Sequence, residues 1–227
     1  MTLAKRLFSE FLGTASLVAV VVGSGIMGES LADGNIGLAL LANALATFWG
    51  LYFLITCLGP YSTHFNPGVS LIFLIKKDLD IKTFLYFIIF QTLGAICGAF
   101  LANAMFDLDI FQISEKIRIG SNLWLSEIVA TAGLILIILL SPKEKTAIMV
   151  ASYIGAAYWF TSSTSFANPA VTIGRVFSDT FTGIEPYSAI YFVLYQLLGA
   201  LVGMLIFSFI KKEQYLIFLK RIIMMSV

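Results

Sequence analysis

Charge is scarce in this chain of 227 residues: 12% are Asp, Glu, Lys or Arg, against 59% hydrophobic. A mean hydropathy of +0.94 lies far outside the range of a water-soluble domain, so lipid is the expected solvent. The formal net charge of +1 argues against nucleic acid or another polyanionic partner. Histidine occurs once and cysteine twice. Cys57 and Cys97 lie in apolar segments and read as small packing residues, not as a disulfide or metal pair. No nucleophile–base pair and no cluster of metal ligands is visible, so neither an enzyme nor a cofactor is expected. The first apolar segment follows Lys5 and Arg6 as a signal peptide would. It is too long for one, it carries Glu10, and no small-residue cleavage site precedes polar sequence.

What the chain has instead is long apolar runs. A spanning helix needs roughly 20 mostly apolar residues, and six segments qualify: Leu7–Met27, Asn35–Leu58, Thr83–Phe106, Trp124–Leu140, Thr146–Ser163 and Tyr187–Ile210. Two further apolar stretches, Pro67–Ile75 and Pro169–Phe177, are too short to cross and read as re-entrant half-helices. Backbone at that depth is tolerated only where protein or a water-filled cavity covers it. The basic residues test this arrangement. With both termini in the cytoplasm, only Lys116, Arg118 and Arg175 of the 14 Lys and Arg fall outside, a strong positive-inside bias. The expected fold is therefore all-α and membrane-spanning, a single domain of six transmembrane helices plus two re-entrant half-helices with a cytoplasmic tail over 211–227, seated in the cell membrane.

The chain also repeats itself. Ser9-Glu10-Phe11-Leu12-Gly13-Thr14-Ala15 returns as Ser126-Glu127-Ile128-Val129-Ala130-Thr131-Ala132. Asn66-Pro67-Gly68-Val69 returns as Asn168-Pro169-Ala170-Val171, and Gln91-Thr92-Leu93-Gly94-Ala95 as Gln196-Leu197-Leu198-Gly199-Ala200. Three matches in one order define repeats over about 4–110 and 120–212. Each holds an odd number of spans, so the halves lie inverted and their half-helices enter from opposite faces to meet near the midplane. Asn followed by Pro is a helix start, with Asn as N-cap and Pro where its missing N–H is harmless. Each Asn amide can donate to a solute stripped of water while its oxygen stays tied to the half-helix. Two positive helix ends behind those donors oppose cations. Glu10 and Glu127 are the only carboxylates within spans. Either they relay protons, or they accept the unpaired backbone N–H groups ahead of each half-helix; the second reading is preferred.

Paired Asn-Pro-Ala-type motifs in inverted halves, with a glutamate in the first and fourth spans, resemble the aquaporin and aquaglyceroporin (major intrinsic protein) family. Within it the chain resembles the bacterial members associated with arsenic resistance. The resemblance runs from about Leu7 to Phe209 and implies six tilted helices plus two half-helices, a pore in each protomer and a homotetramer. It also implies the bracing role for both glutamates. The filter departs from the water-channel pattern. The arginine that water-selective relatives carry three residues after the second Asn is Val171 here. Counting along the family's ungapped spacing, the other filter positions fall on Ala46 (Thr47 if the register slips), Ala156 and Ser165. That ring is wide and nearly uncharged. Arg175, one turn beyond Val171, either reaches back toward the pore centre or snorkels outward to water or to Asp179. His64 is placed in the cytoplasmic half of the pore, and Gly68 either loosens the midplane or is a neutral replacement for alanine. The expected function is a passive channel for small uncharged solutes, glycerol-like polyols or undissociated metalloid acids such as arsenite, together with water. The alternatives are a water-selective channel in which Arg175 replaces the missing arginine, and an ion-coupled transporter.

Overall fold

A computed structural model describes residues 1–211; the part of the expected cytoplasmic tail from residue 212 onward lies outside the described residues. Eight α-helices follow in order: α1 Leu3–Leu31, α2 Ile36–Leu58, α3 Pro67–Ile75, α4 Ile81–Met105, α5 Ser121–Leu140, α6 Thr146–Phe160, α7 Pro169–Arg175 and α8 Pro186–Ile210. The starts follow from local chemistry. Asn35, Asp80 and Glu185 cap α2, α4 and α8 by accepting the N–H groups of Leu38, Thr83 and Ser188. Asn66 and Asn168 cap the two short helices, each with Pro at the first helical position.

The packing is two-fold throughout. In the first half α1 lies along α4, and in the second α5 lies along α8; α2 and α6 pair across the middle. Each half-helix then crosses over, α7 packing on α4 of the other half and α3 on α8. Among the described residues, α1, α2, α4, α5 and α8 are long and apolar enough to cross a membrane. The sixth span is shorter than the expected Thr146–Ser163. Helix α6 ends at Phe160 because Thr161 turns extended (φ −110°, ψ 137°), leaving 15 residues, about 22 Å. A 3₁₀ turn over Lys143–Lys145 leads into it.

Small residues let the paired helices touch backbone to backbone, as membrane packing requires where lipid tails are as apolar as leucine. A Cβ on Gly203 of α8 would stand 2.5 Å from the Ala132 carbonyl oxygen of α5, and one on Gly199 2.6 Å from that of Ile128. Neither obstacle is a flexible side-chain end, so the helices would have to part. Apolar side chains such as Trp49, Phe53, Leu85 and Leu194 point outward from the bundle. Its centre holds a symmetric polar set, Glu10 with Gln91 and Glu127 with Gln196, all wholly buried. Gly203→Ala is expected to lower the thermal midpoint of the detergent-solubilised protein, because overpacking of this kind costs roughly 1–3 kcal/mol. An unchanged midpoint would show that α5 and α8 do not meet as described.

Candidate functional site

The two half-helices meet tip to tip. Asn66 and Asn168 adopt nearly the same backbone conformation, φ −157° with ψ 118° and 112°. Each side-chain oxygen accepts from its own helix: Asn66 Oδ1 from Gly68 N at 2.8 Å and Val69 N at 3.4 Å, Asn168 Oδ1 from Ala170 N at 3.0 Å and Val171 N at 3.3 Å. The amide nitrogens reach across. Asn66 Nδ2 donates to the Ala167 carbonyl at 2.8 Å, and Asn168 Nδ2 to the Phe65 carbonyl at 2.7 Å. A primary amide carries two N–H groups, so each asparagine spends one on the opposite half and keeps one for the cavity beside it.

Those carbonyls are presented by strained residues. Phe65 and Ala167 sit in the left-handed region at φ 48° and 49°, where a side chain costs on the order of 1–3 kcal/mol. The glutamates hold them there. Glu10 Oε2 accepts from Phe65 N at 2.7 Å and Gln91 Nε2 at 2.7 Å, while its Oε1 accepts from His64 N at 2.9 Å and from the Ser62 hydroxyl. Glu127 accepts from Ala167 N at 2.9 Å, Phe166 N at 3.0 Å and Gln196 Nε2 at 2.6 Å. Each carboxylate thus accepts two backbone N–H groups from the chain ahead of a half-helix together with the amide of a facing glutamine, the arrangement the bracing reading calls for. Gln91 and Gln196 also donate to Ser70 and Thr172, one turn into each half-helix. Their repeat is visible in the sequence; their bracing role is not.

A cavity of about 560 Å³ runs past both asparagines. At one end it is walled by Met1, Arg6, Tyr61 and Lys143; helix alternation puts Tyr158 and Arg175 toward the other. His64 lines it, with Nδ1 3.1 Å from Ser70 Oγ and its ring against Phe73 and Phe87. Ser165 and Val171 line it as well, and Ser165 Oγ is buried without a hydrogen-bond partner among the described residues. Pro67, Pro169 and Ala170 are buried beside the asparagines at the tips. Gly68 is not among the residues that line the cavity, and a methyl there would stand 3.2 Å from Asn66 Oδ1, 3.7 Å from Ala200 Cβ and 3.9 Å from Pro169 Cδ.

Two expected wall residues are misplaced. Ala46 and Ala156 do not line the cavity. The pore-facing stripes run at helical spacing through Thr47, Leu51 and Ile55 on α2 and through Val150, Ile154 and Tyr158 on α6. Ala46 is one residue off its stripe, and Ala156 is exposed on the outer surface of α6. On α6, ungapped counting from Asn168 lands two residues short of the stripe, on Ala156 in place of Tyr158. The helix's own periodicity of cavity-facing residues is the signal that finds Tyr158. Tyr158 OH and Thr47 Oγ1 lie 3.1 Å apart, joining α6 to α2 at the wall.

Arg175 lies at the same level, 2% exposed and lining the cavity with Val171. It neither reaches bulk water nor pairs with Asp179, which accepts instead from Ser114 Oγ and Glu115 N. Its Nε donates to the Thr182 carbonyl and its Cζ sits 3.3 Å from the Phe166 ring centroid. Lys116 and Arg118 approach from the 106–120 loop. Burial and the neighbouring Arg118 and Arg175 charges push the Lys116 amine down to about 8, and burial pushes Arg118 down to about 10.

Comparison with known proteins places this arrangement. The family model described as major intrinsic protein matches residues 1–162. The chain is 48% identical to the aquaglyceroporin AqpS of Rhizobium meliloti (strain 1021) over 202 residues, covering 87% of this chain and 86% of that one. It is 28% identical to aquaporin A of Dictyostelium discoideum over 229 residues, 91% and 77% of the two chains. The X-ray structure of the aquaglyceroporin from Plasmodium falciparum superposes with a TM-score of 0.68 at 20% identity over 89% of this chain and 94% of that one, a likeness of fold. The protein belongs to the major intrinsic protein family of membrane channels.

Removing either brace strands buried donors, each worth about 1–3 kcal/mol when unpaired. Glu127→Ala and Glu10→Ala are therefore expected to lower the thermal midpoint in detergent by several degrees, whereas the exposed Glu144→Ala leaves it in place. Equal midpoints for all three variants would contradict the bracing.

Proposed function

We propose that this protein is a passive channel for water and small uncharged solutes, glycerol-sized polyols and undissociated metalloid acids among them. The observation that carries the proposal is the cavity passing two converging asparagine amides, each with one N–H left over. A solute at midplane exchanges its water for those donors, and the positive ends of α3 and α7 behind them disfavour cations. Arg6 and Lys143 wall the end that faces the cytoplasm in this reading, with both termini on that side. The chain works as a multi-pass protein of the cell membrane, assembled as a homotetramer, with lipid against its apolar surface and no cofactor.

Selection falls to Thr47, Tyr158, Ser165, Val171 and Arg175. This ring is more polar than the alanine-lined ring expected from spacing alone, with three hydroxyls and a guanidinium around one apolar side chain. Such a wall offers hydrogen bonds to a polyol or an oxyacid as it sheds water, and Val171 leaves width that a second arginine would remove. Tyr158 and Arg175 also give the water-selective alternative its support, and relative flux separates the two readings.

In proteoliposomes, glycerol and water entry should both exceed bare lipid and rise linearly with gradient; saturation or coupling to an ion gradient would indicate a transporter. Val171→Arg is expected to reduce glycerol flux about tenfold while changing water flux far less, since the added bulky cation narrows the ring against the larger solute, a discrimination equivalent to about 1.4 kcal/mol. Equal losses for both permeants would contradict the assignment of Val171 to the filter.

A further inference from the structure

Arg175 presents an unusual electrostatic problem. Its guanidinium is buried and has no carboxylate partner; among the described residues the only ion pair joins Lys76 and Asp78. A buried charge needs compensation, and an arginine with four rotatable bonds needs something to hold it. Only its Nε is hydrogen-bonded, to the Thr182 carbonyl. The terminal N–H groups have no partner among the described residues, and the residue lines the cavity. What fixes the guanidinium is the Phe166 ring, over whose face Cζ lies 3.3 Å from the centroid.

Phe166 is itself immobilised. Its N–H donates to Glu127 at 3.0 Å, its ring meets Phe192 edge-on at 5.0 Å, and it packs with the buried Ile184 and Ala189. A second guanidinium uses the same ring: Arg118 Cζ stands 5.1 Å from the Phe166 centroid. Arg118 is held from behind, Nε donating to the Gly183 carbonyl at 2.9 Å and its backbone N–H to Ser188 Oγ at 3.0 Å. The loop that delivers Arg118 is stitched to the connection following α7, with Ser114 N on the Val176 carbonyl at 2.8 Å and Glu185 N on the Lys116 carbonyl at 2.9 Å. Lys116 Nζ donates to the Phe181 carbonyl at 2.6 Å. Two guanidiniums thus share the Phe166 ring, while Lys116 lies over Phe181 at 5.0 Å, and repulsion from Arg118 favours the cavity as the direction for the free N–H edge of Arg175.

We propose that Phe166 and Arg118 are positioning residues for selectivity: the ring orients Arg175, Arg118 blocks its retreat, and the 106–120 loop thereby sets the filter charge. The inference rests on the channel reading and on Arg175 as part of its filter. It assigns a role to a residue two before the second motif and to one in a loop distant in sequence.

The test compares glycerol-to-water permeability ratios in proteoliposomes of purified variants, each first verified as monodisperse by size-exclusion chromatography. Arg175→Ala is expected to raise the ratio, and Phe166→Leu and Arg118→Ala to raise it by about threefold, the scale of a lost cation–π contact. Phe166→Tyr, which keeps the ring face, should retain the wild-type ratio. Phe166→Leu added to Arg175→Ala should change nothing further. If Phe166→Leu proves unstable, Arg118→Ala alone and combined with Arg175→Ala supplies the same comparison from the loop side. A raised ratio in Arg175→Ala with wild-type ratios in Phe166→Leu and Arg118→Ala would overturn the positioning roles and leave the filter reading standing. A wild-type ratio in Arg175→Ala would overturn both.

Discussion

The fold turns on two reciprocal hydrogen bonds, Asn66 to the Ala167 carbonyl and Asn168 to the Phe65 carbonyl. Each couples the inverted halves at the point where both half-helices would otherwise end in hydrocarbon. Unpaired amides and carbonyls there are expensive. The halves satisfy each other's, using acceptors that only a left-handed residue can turn toward the tip. The glutamates and glutamines behind them form an outer shell that keeps those residues in place. Packing follows: α4 and α8 must come close enough to α1 and α5 to deliver Gln91 and Gln196, and glycine at the crossings permits it.

This arrangement divides labour between the hydrogen-bonded tips at the centre and the chemistry of the wall. The midplane is rigid because each side-chain oxygen and one N–H of each asparagine are already committed. The wall around Tyr158 and Arg175 is held differently, through a hydroxyl pair between α2 and α6 and an aromatic ring under a guanidinium. Such contacts can be exchanged without disturbing the tips. In the function proposed above, the central pair admits neutral molecules in general, and the Arg175 region decides among them.

Much of the fold was legible because its signals are local. Asn followed by Pro marks both half-helices, apolar length marks the crossings, and two repeats with an odd number of spans each imply their inversion. The glutamates were legible by elimination, being the only carboxylates inside spans. The wall was legible only in part. Val171 and Ser165 sit at fixed offsets within one short segment and were found by counting. Ala156 was not the wall residue, because the cavity-facing stripe of α6 runs through Val150, Ile154 and Tyr158, two residues out of step with the count. Ala46 missed the cavity-facing stripe by a single residue, a 100° turn on a helix, and is half-buried beside it. The direction of Arg175 depends on Phe166, Thr182 and a loop some sixty residues earlier, contacts that no spacing encodes.

The central claim is that both asparagines keep a donor facing one continuous passage. A density map of the lipid-embedded protein that resolves ordered water tests it most directly. The account predicts a single file of waters along the cavity, with one within hydrogen-bonding distance of Asn66 Nδ2 and one of Asn168 Nδ2. A dry midplane, or water reaching only one of the two amides, would contradict it.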